Sequence, residues 1–179
     1  MIYNMDRLYA GLHYCGEIRG IFRLYNTFYL AKHLTGYPLV YEWIPSSRGA
    51  SNGPSSYYLG NDIIFLIRRG FVSQDILSDR SVSFKAINNE YFKKSKDIEK
   101  ETAYYKKFFK IISGMDWQVV ALAAAYIAER NKPDNDLALV NSIVAERKRS
   151  IYTTERIVQA INFISEIETK SIYAKPEDK

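Results

Sequence analysis

The side chains best suited to nucleophilic or metal chemistry are Cys15, His13 and His33, and their spacing serves neither purpose. Two histidines, one cysteine and no HExxH pattern do not assemble a recognisable metal site. On a helix His13 and Cys15, two residues apart, point to different faces, so the imidazole is not placed to act as base for the thiol. Cys15 is expected as a small buried thiol, and the histidines as surface or half-buried packing residues. The glycines form neither GxxxxGK[ST] nor GxGxxG, although Gly49 and Gly53 bracket a loop whose N–H groups could face an anion near a helix start. Asp97 and Glu101, at helical spacing beside lysines, read as ion-paired acids rather than as catalysts. The expectation is a non-enzymatic protein with no catalytic residue, no metal and no cofactor.

Binding chemistry is better represented. A net charge of +5 and a pI near 9.1 suit an acidic partner such as nucleic acid. The excess is modest, because 20 acidic residues are interspersed among 25 basic ones. Fifteen tyrosines supply rings for a core with hydroxyls for water or a partner. With one cysteine an intrachain disulfide is impossible, and a reducing, cytoplasmic setting follows as the expectation. Asp6, Arg7, Glu17 and Arg19 interrupt any secretory apolar stretch, and no run approaches the roughly 20 apolar residues of a membrane span.

The elements that must position these residues follow from caps and periodicity. Helices are expected over 6–15, with Asn4 as N-cap and Gly16 as exit, and over 19–33, ended by Gly36 and Pro38. Leu39 to Ile44 reads as a short strand and 46–53 as a loop. A helix over 54–69 begins at Pro54, carries the stripe Leu59, Ile63, Leu66 and Ile67, and exits at Gly70. Residues 71–77 and 81–87 read as a hairpin turning at Ser78-Asp79-Arg80. Residues 88–113 read as one long helix with Tyr91, Ile98, Tyr105 and Ile112 seven apart, which suits packing along a helix of this chain or of a second copy. Its lysines, Lys93 to Lys110, alternate with acids as on a solvated face. Further helices are expected over 116–130, capped by Asp116, from 134 or 135 onward with Leu137 and Val140, and from Thr153, with a polar tail after Thr169.

The fold class is therefore mainly α with a small β component (α+β). A winged helix-turn-helix-like region over 1–87 leads into the helix 88–113. A C-terminal helical region, 114–169, packs back on the first to give one compact unit, and 170–179 is a tail. The segments Tyr41-Glu42-Trp43-Ile44-Pro45, Gly53-Pro54-Ser55-Ser56 and Leu59…Asp62-Ile63…Leu66…Gly70-Phe71-Val72 resemble the Panacea-type antitoxin domain and its winged-helix-like relatives. So do Leu24 to Leu30 upstream, and Val120 to Tyr126 and Thr154 to Ala160 downstream. Tyr25-Asn26-Thr27 and Ser55 depart from that family's pattern. The resemblance implies a regulatory or binding role, in transcription control or toxin neutralisation, without a cofactor.

Two functions follow as expectations. In the first the protein binds double-stranded DNA as a transcription regulator, using Ser55, Ser56, Tyr58 and Asn61 near the start of the third helix, Arg48 before it and Arg80 at the wing tip. In the alternative it is a protein-interaction module, antitoxin-like, with Trp43, Tyr57 and Tyr58 as partner anchors and a homodimer through the long helix. The first ranks slightly ahead because it joins the basic pI to the architecture.

Overall fold

The computed structural model describes residues 3–44, 53–87, 96–130 and 153–169. Helix α1 spans Asn4–Cys15. Its start is set by Asp6, whose carboxylate accepts the Tyr3 N–H at 2.8 Å and also favours the positive end of the helix dipole. Tyr3, not Asn4, is therefore the N-cap. Asn4 instead clamps the backbone of Val40, donating to its carbonyl at 2.7 Å and accepting its N–H at 3.0 Å.

A three-residue strand, β1 (Glu17–Arg19), follows with only Ile18 turned inward. Helix α2 spans Ile21–Thr35 and closes at Gly36, whose φ of 70° suits glycine and lets its N–H reach the carbonyls of Ala31 and Lys32. The expected strand over 39–44 is replaced by extended chain with a single antiparallel bridge, Ile44 to Ser55. Its alternation is that of a strand, with Leu39 and Tyr41 buried and Val40 exposed. What it lacks is a neighbouring strand edge, and side chains hold it instead: Asn4 at Val40, and the Tyr41 hydroxyl donating to Asp62 at 2.6 Å.

Helix α3 spans Tyr57–Arg68 and starts three residues after Pro54. Ser56, a strong N-cap type, accepts the Leu59 N–H at 3.4 Å, while the bridge to Ile44 holds Ser55 in extended form. Leu59, Ile63 and Leu66 are buried as the stripe requires. Strands β2 (Val72–Ile76) and β3 (Val82–Ala86) form the hairpin, and β1 adds to β3 so that the sheet order is β1-β3-β2. Helix, strand, helix, helix, hairpin is the winged-helix order. The tight turn usual between the last two helices is here replaced by the segment 36–56.

The long-helix region divides into α4 (Lys96–Thr102), a 3-10 turn (Ala103–Tyr105) and α5 (Lys106–Ser113), which corrects the expectation of one regular helix; residues 88–95, with Tyr91, lie outside the described residues. Thr102 accounts for the break. Its hydroxyl lies 2.6 Å from the Ile98 carbonyl, a back-bond that bends helices, and 3.1 Å from the Tyr14 hydroxyl. Ile98, Tyr105 and Ile112 are buried, and α4 and α5 pack on α1. Among the described residues the seven-residue stripe is thus used within the chain, and Ile98, Tyr105 and Ile112 do not offer the expected homodimer an exposed seam. Glu101 likewise pairs with Arg7 of α1, at 2.8 and 3.3 Å, and not with a neighbouring lysine.

Helix α6 (Trp117–Arg130) starts at Asp116, which accepts the Gln118 N–H at 2.7 Å, and α7 (Thr154–Thr169) starts at Thr153, which accepts from Arg156 at 3.3 Å. The expected helix beginning at 134 or 135 lies outside the described residues. The run Val119 to Ala125 is buried all round, its alanines letting α6 sit between α2 and α7. One continuous apolar cluster runs from Leu8 to Ile167.

Arg23 of α2 joins these layers. Its guanidinium donates to the carbonyls of Ser113 and Met115, both at 2.8 Å, and reaches Ile112 at 3.5 Å, covering the free end of α5. Arg23→Ala is expected to lower stability by about 1–3 kcal/mol, because the Ser113 and Met115 carbonyls lose this donor, while that of Ile112 keeps the Met115 N–H. A fall in the urea midpoint with unchanged slope checks this. Arg23→Lys should recover only part, since all three contacts come from one terminal nitrogen, Nη2, whose position the more flexible lysine stem does not fix.

Candidate interaction face

Helix α3 buries one stripe and presents the rest of its surface outward. At 3.6 residues per turn, Tyr57, Ile64 and Arg68 fall along one edge of that surface. Tyr58, Phe65 and Arg69 fall along the other, with Asn61 between them. Tyr57 and Tyr58 are 71% and 57% exposed, Ile64 and Phe65 47% and 41%. The Arg69 guanidinium lies 5.2 Å over the Phe65 ring and does not project as a free base-reading group.

Beside the first edge lies a groove of about 480 Å³ between the start of α2, α3 and the hairpin. Val82 and Phe84 of β3 form its floor; Phe22 and Tyr25 of α2 and Ile64 and Ile67 of α3 form its walls. Gly60 faces the Tyr25 hydroxyl, which a Cβ there would meet at 2.8 Å, so glycine leaves room for the Tyr25 side chain against α3. Sequence reasoning missed this groove. Phe22 and Ile64 read as ordinary helical apolar residues, and only β1, too short to show a period, brings the start of α2 against the hairpin.

The residues expected at a nucleic-acid or partner surface separate. Tyr57, Tyr58 and Asn61 are exposed on α3. Ser56 is buried and spent as the cap of α3, so its hydroxyl is not available to a base edge, and Ser55 is half-buried in the bridge to Ile44. Trp43 is half-buried, edge-on to Tyr29 and Tyr41 at 5.3 and 6.4 Å between ring centres. Its indole packs inward and is not an exposed anchor. Arg48 lies outside the described residues, as does Gly49. Arg80 stands exposed at the hairpin tip with φ of 64°, a left-handed conformation that costs a non-glycine residue about 1 kcal/mol.

Among the described residues no three of His, Cys, Asp and Glu converge as metal ligands. His13 stacks near Tyr9, and His33 packs 4.2 Å from Tyr29. The Cys15 sulfur lies 3.7 Å from the Phe109 carbonyl, and burial pushes its thiol up to about 12. A thiol so protonated is a poor nucleophile. Iodoacetamide at about pH 8 should leave Cys15 unmodified in the native protein and alkylate it in urea, as intact mass will report.

No helix among the described residues is long and apolar enough to cross a membrane. No family model, curated protein or solved structure matches this chain.

Proposed function

We propose that this chain is a non-enzymatic regulatory protein that acts by binding another protein through the outer face of α3. The observation that carries this reading is the composition of that face. Its large exposed hydrophobic residues are Tyr57, Tyr58, Ile64 and Phe65, with Arg68 and Arg69 confined to its C-terminal end. Readers of base edges present Arg, Lys, Asn or Gln there, and Asn61 alone answers that description near the start of α3. Exposed aromatic and apolar residues grouped on one helix are instead the mark of a protein-binding surface. An antitoxin-like role, one of the two implied by the motif resemblance, is of this kind. A reducing cytoplasm suits it, given one cysteine with a buried thiol.

The test is co-purification from the cells of origin, using tagged wild-type protein, Tyr58→Glu/Phe65→Glu and, as control, Lys107→Glu on α5. The expected result is a protein captured by wild type and control and depleted about tenfold or more by the α3 variant, the scale of losing an interface hot spot. Circular dichroism establishes that all three fold. An identical captured set for all three overturns the proposal.

Double-stranded DNA is the second reading, favoured by the winged-helix order and by Arg80 at the hairpin tip. It predicts binding of a mixed-sequence duplex that falls steeply with salt and weakens in Arg48→Ala/Arg80→Ala. No binding at low salt ends that reading.

A further inference from the structure

The charge and shape of the groove name the chemistry of a partner, an inference that rests on the protein-binding reading above. Alternation along β2 puts Ile76 on the same face as Gln74, which lines the groove, and Ile76 pairs with Val82 on its floor. Ile76 is 78% exposed and Phe22 46%, so with Ile64 they leave three apolar side chains uncovered around one opening. The α3 wall is 12 residues long, about 18 Å at 1.5 Å per residue, which a helix of about three turns can follow.

The border of this opening is basic. Arg68 lies one turn beyond Ile64 on α3, and Arg80 adjoins Ser81, which lines the groove. Both are exposed, and neither pairs with a carboxylate among the described residues. Two acids of the hairpin flank this border, and only Asp79 stands on it, where its charge offsets part of that of Arg80. Asp79 is folded back on Ser81, accepting its N–H at 2.9 Å and its hydroxyl at 2.5 Å. Asp75 pairs with Ser83 and so projects from the opposite face of the hairpin. The Tyr25 hydroxyl lines the groove, half-buried and without a hydrogen bond among the described residues.

We propose that the groove receives a short amphipathic helix of the protein partner, with its apolar residues against Phe22, Ile64 and Ile76 and its carboxylates on Arg68 and Arg80. Apolar anchors at i, i+3 or i+4 and i+7, with Glu or Asp between them, are the pattern that such a groove selects. The Tyr25 hydroxyl offers the segment one further polar contact.

The experiment titrates the isotope-labelled full chain, followed by amide NMR at low salt, with three synthetic peptides of about four turns. One has leucine anchors and glutamates, a second has every glutamate replaced by lysine, and a third keeps the glutamates but has serine for leucine. Expected is a shift of the Phe22, Ile64 and Gln74 amides by the first peptide, with affinity about tenfold or more above the other two. Ile64→Glu should abolish the shift, and Arg68→Glu/Arg80→Glu should invert the preference between the first two peptides. Where Ile64→Glu loses its native spectrum, Phe22→Ser takes its place. Equal response to acidic and basic peptides, absence of binding at millimolar peptide, or displacement of the peptide from the same amides by a mixed-sequence duplex overturns the inference. Failure here with partner capture still sensitive to Tyr58 and Phe65 removes only the groove assignment. Capture insensitive to those residues removes the protein-binding reading itself.

Discussion

Phe109→Ala is expected to lower the stability of the protein by about 3–5 kcal/mol, enough to leave a domain of ordinary stability partly unfolded. Phe109 is wholly buried in α5. Its ring meets those of Tyr37 at 4.9 Å, Phe28 at 5.5 Å, Phe108 at 5.6 Å and Tyr14 at 6.4 Å. It is therefore the point where α1, α2, the segment after α2 and α5 share one contact, and a cavity there touches four rings at once. None of those rings can swing in without leaving another neighbour, so collapse recovers little. Urea unfolding followed by circular dichroism measures the loss, and Phe109→Leu should retain a substantial part of it. A change under about 1 kcal/mol would mean that the aromatic cluster is not the centre of the core.

Gly11→Ala is the second large effect, and its sign is diagnostic. In an open helix this change stabilises by about 1 kcal/mol, because alanine is the better helix former. Here the added Cβ would stand 2.7 Å from Phe28 Cζ and 2.8 Å from Phe109 Cζ, well inside contact distance. Both rings are buried and held by Tyr37, so neither yields cheaply. A net loss of about 1–3 kcal/mol is expected, read as a lower thermal midpoint. Phe28→Leu in the same chain should relieve part of it, giving a cycle in which the two changes cost less together than in sum. Stabilisation by Gly11→Ala alone would contradict the close approach of the Phe28 and Phe109 rings to α1.

Much of the scaffold was legible because it follows from local rules. The stripe Leu59-Ile63-Leu66 placed α3, and the turn at Ser78-Asp79-Arg80 placed the hairpin. Asp116 and Thr153 placed two helix starts through their side-chain acceptors. The misses share a different cause, since each depends on a partner distant in sequence. Asn4 looks like a cap until Val40 claims its amide. Leu39 to Ile44 alternates like a strand but finds no edge to join. Trp43 reads as an anchor until Tyr29 and Tyr41 enclose it. The groove was the least legible feature of all, because it belongs to no element and exists only where β1 draws α2 against the hairpin.

The clasp between α1 and the α4–α5 region bears on how the chain acquires its structure. Arg7 meets Glu101, and Cys15 meets Phe109, each across 94 positions. The face of α1 that those contacts cover has no local substitute. During synthesis it waits, apolar and open, until the chain through Ser113 has emerged. Contacts of such long range slow folding, since loop-closure entropy is lost before they form. A fragment ending after the hairpin would keep its wing yet leave that face of Gly11, Tyr14 and Cys15 without the residues that bury it, and aggregation is the outcome to expect of such a fragment.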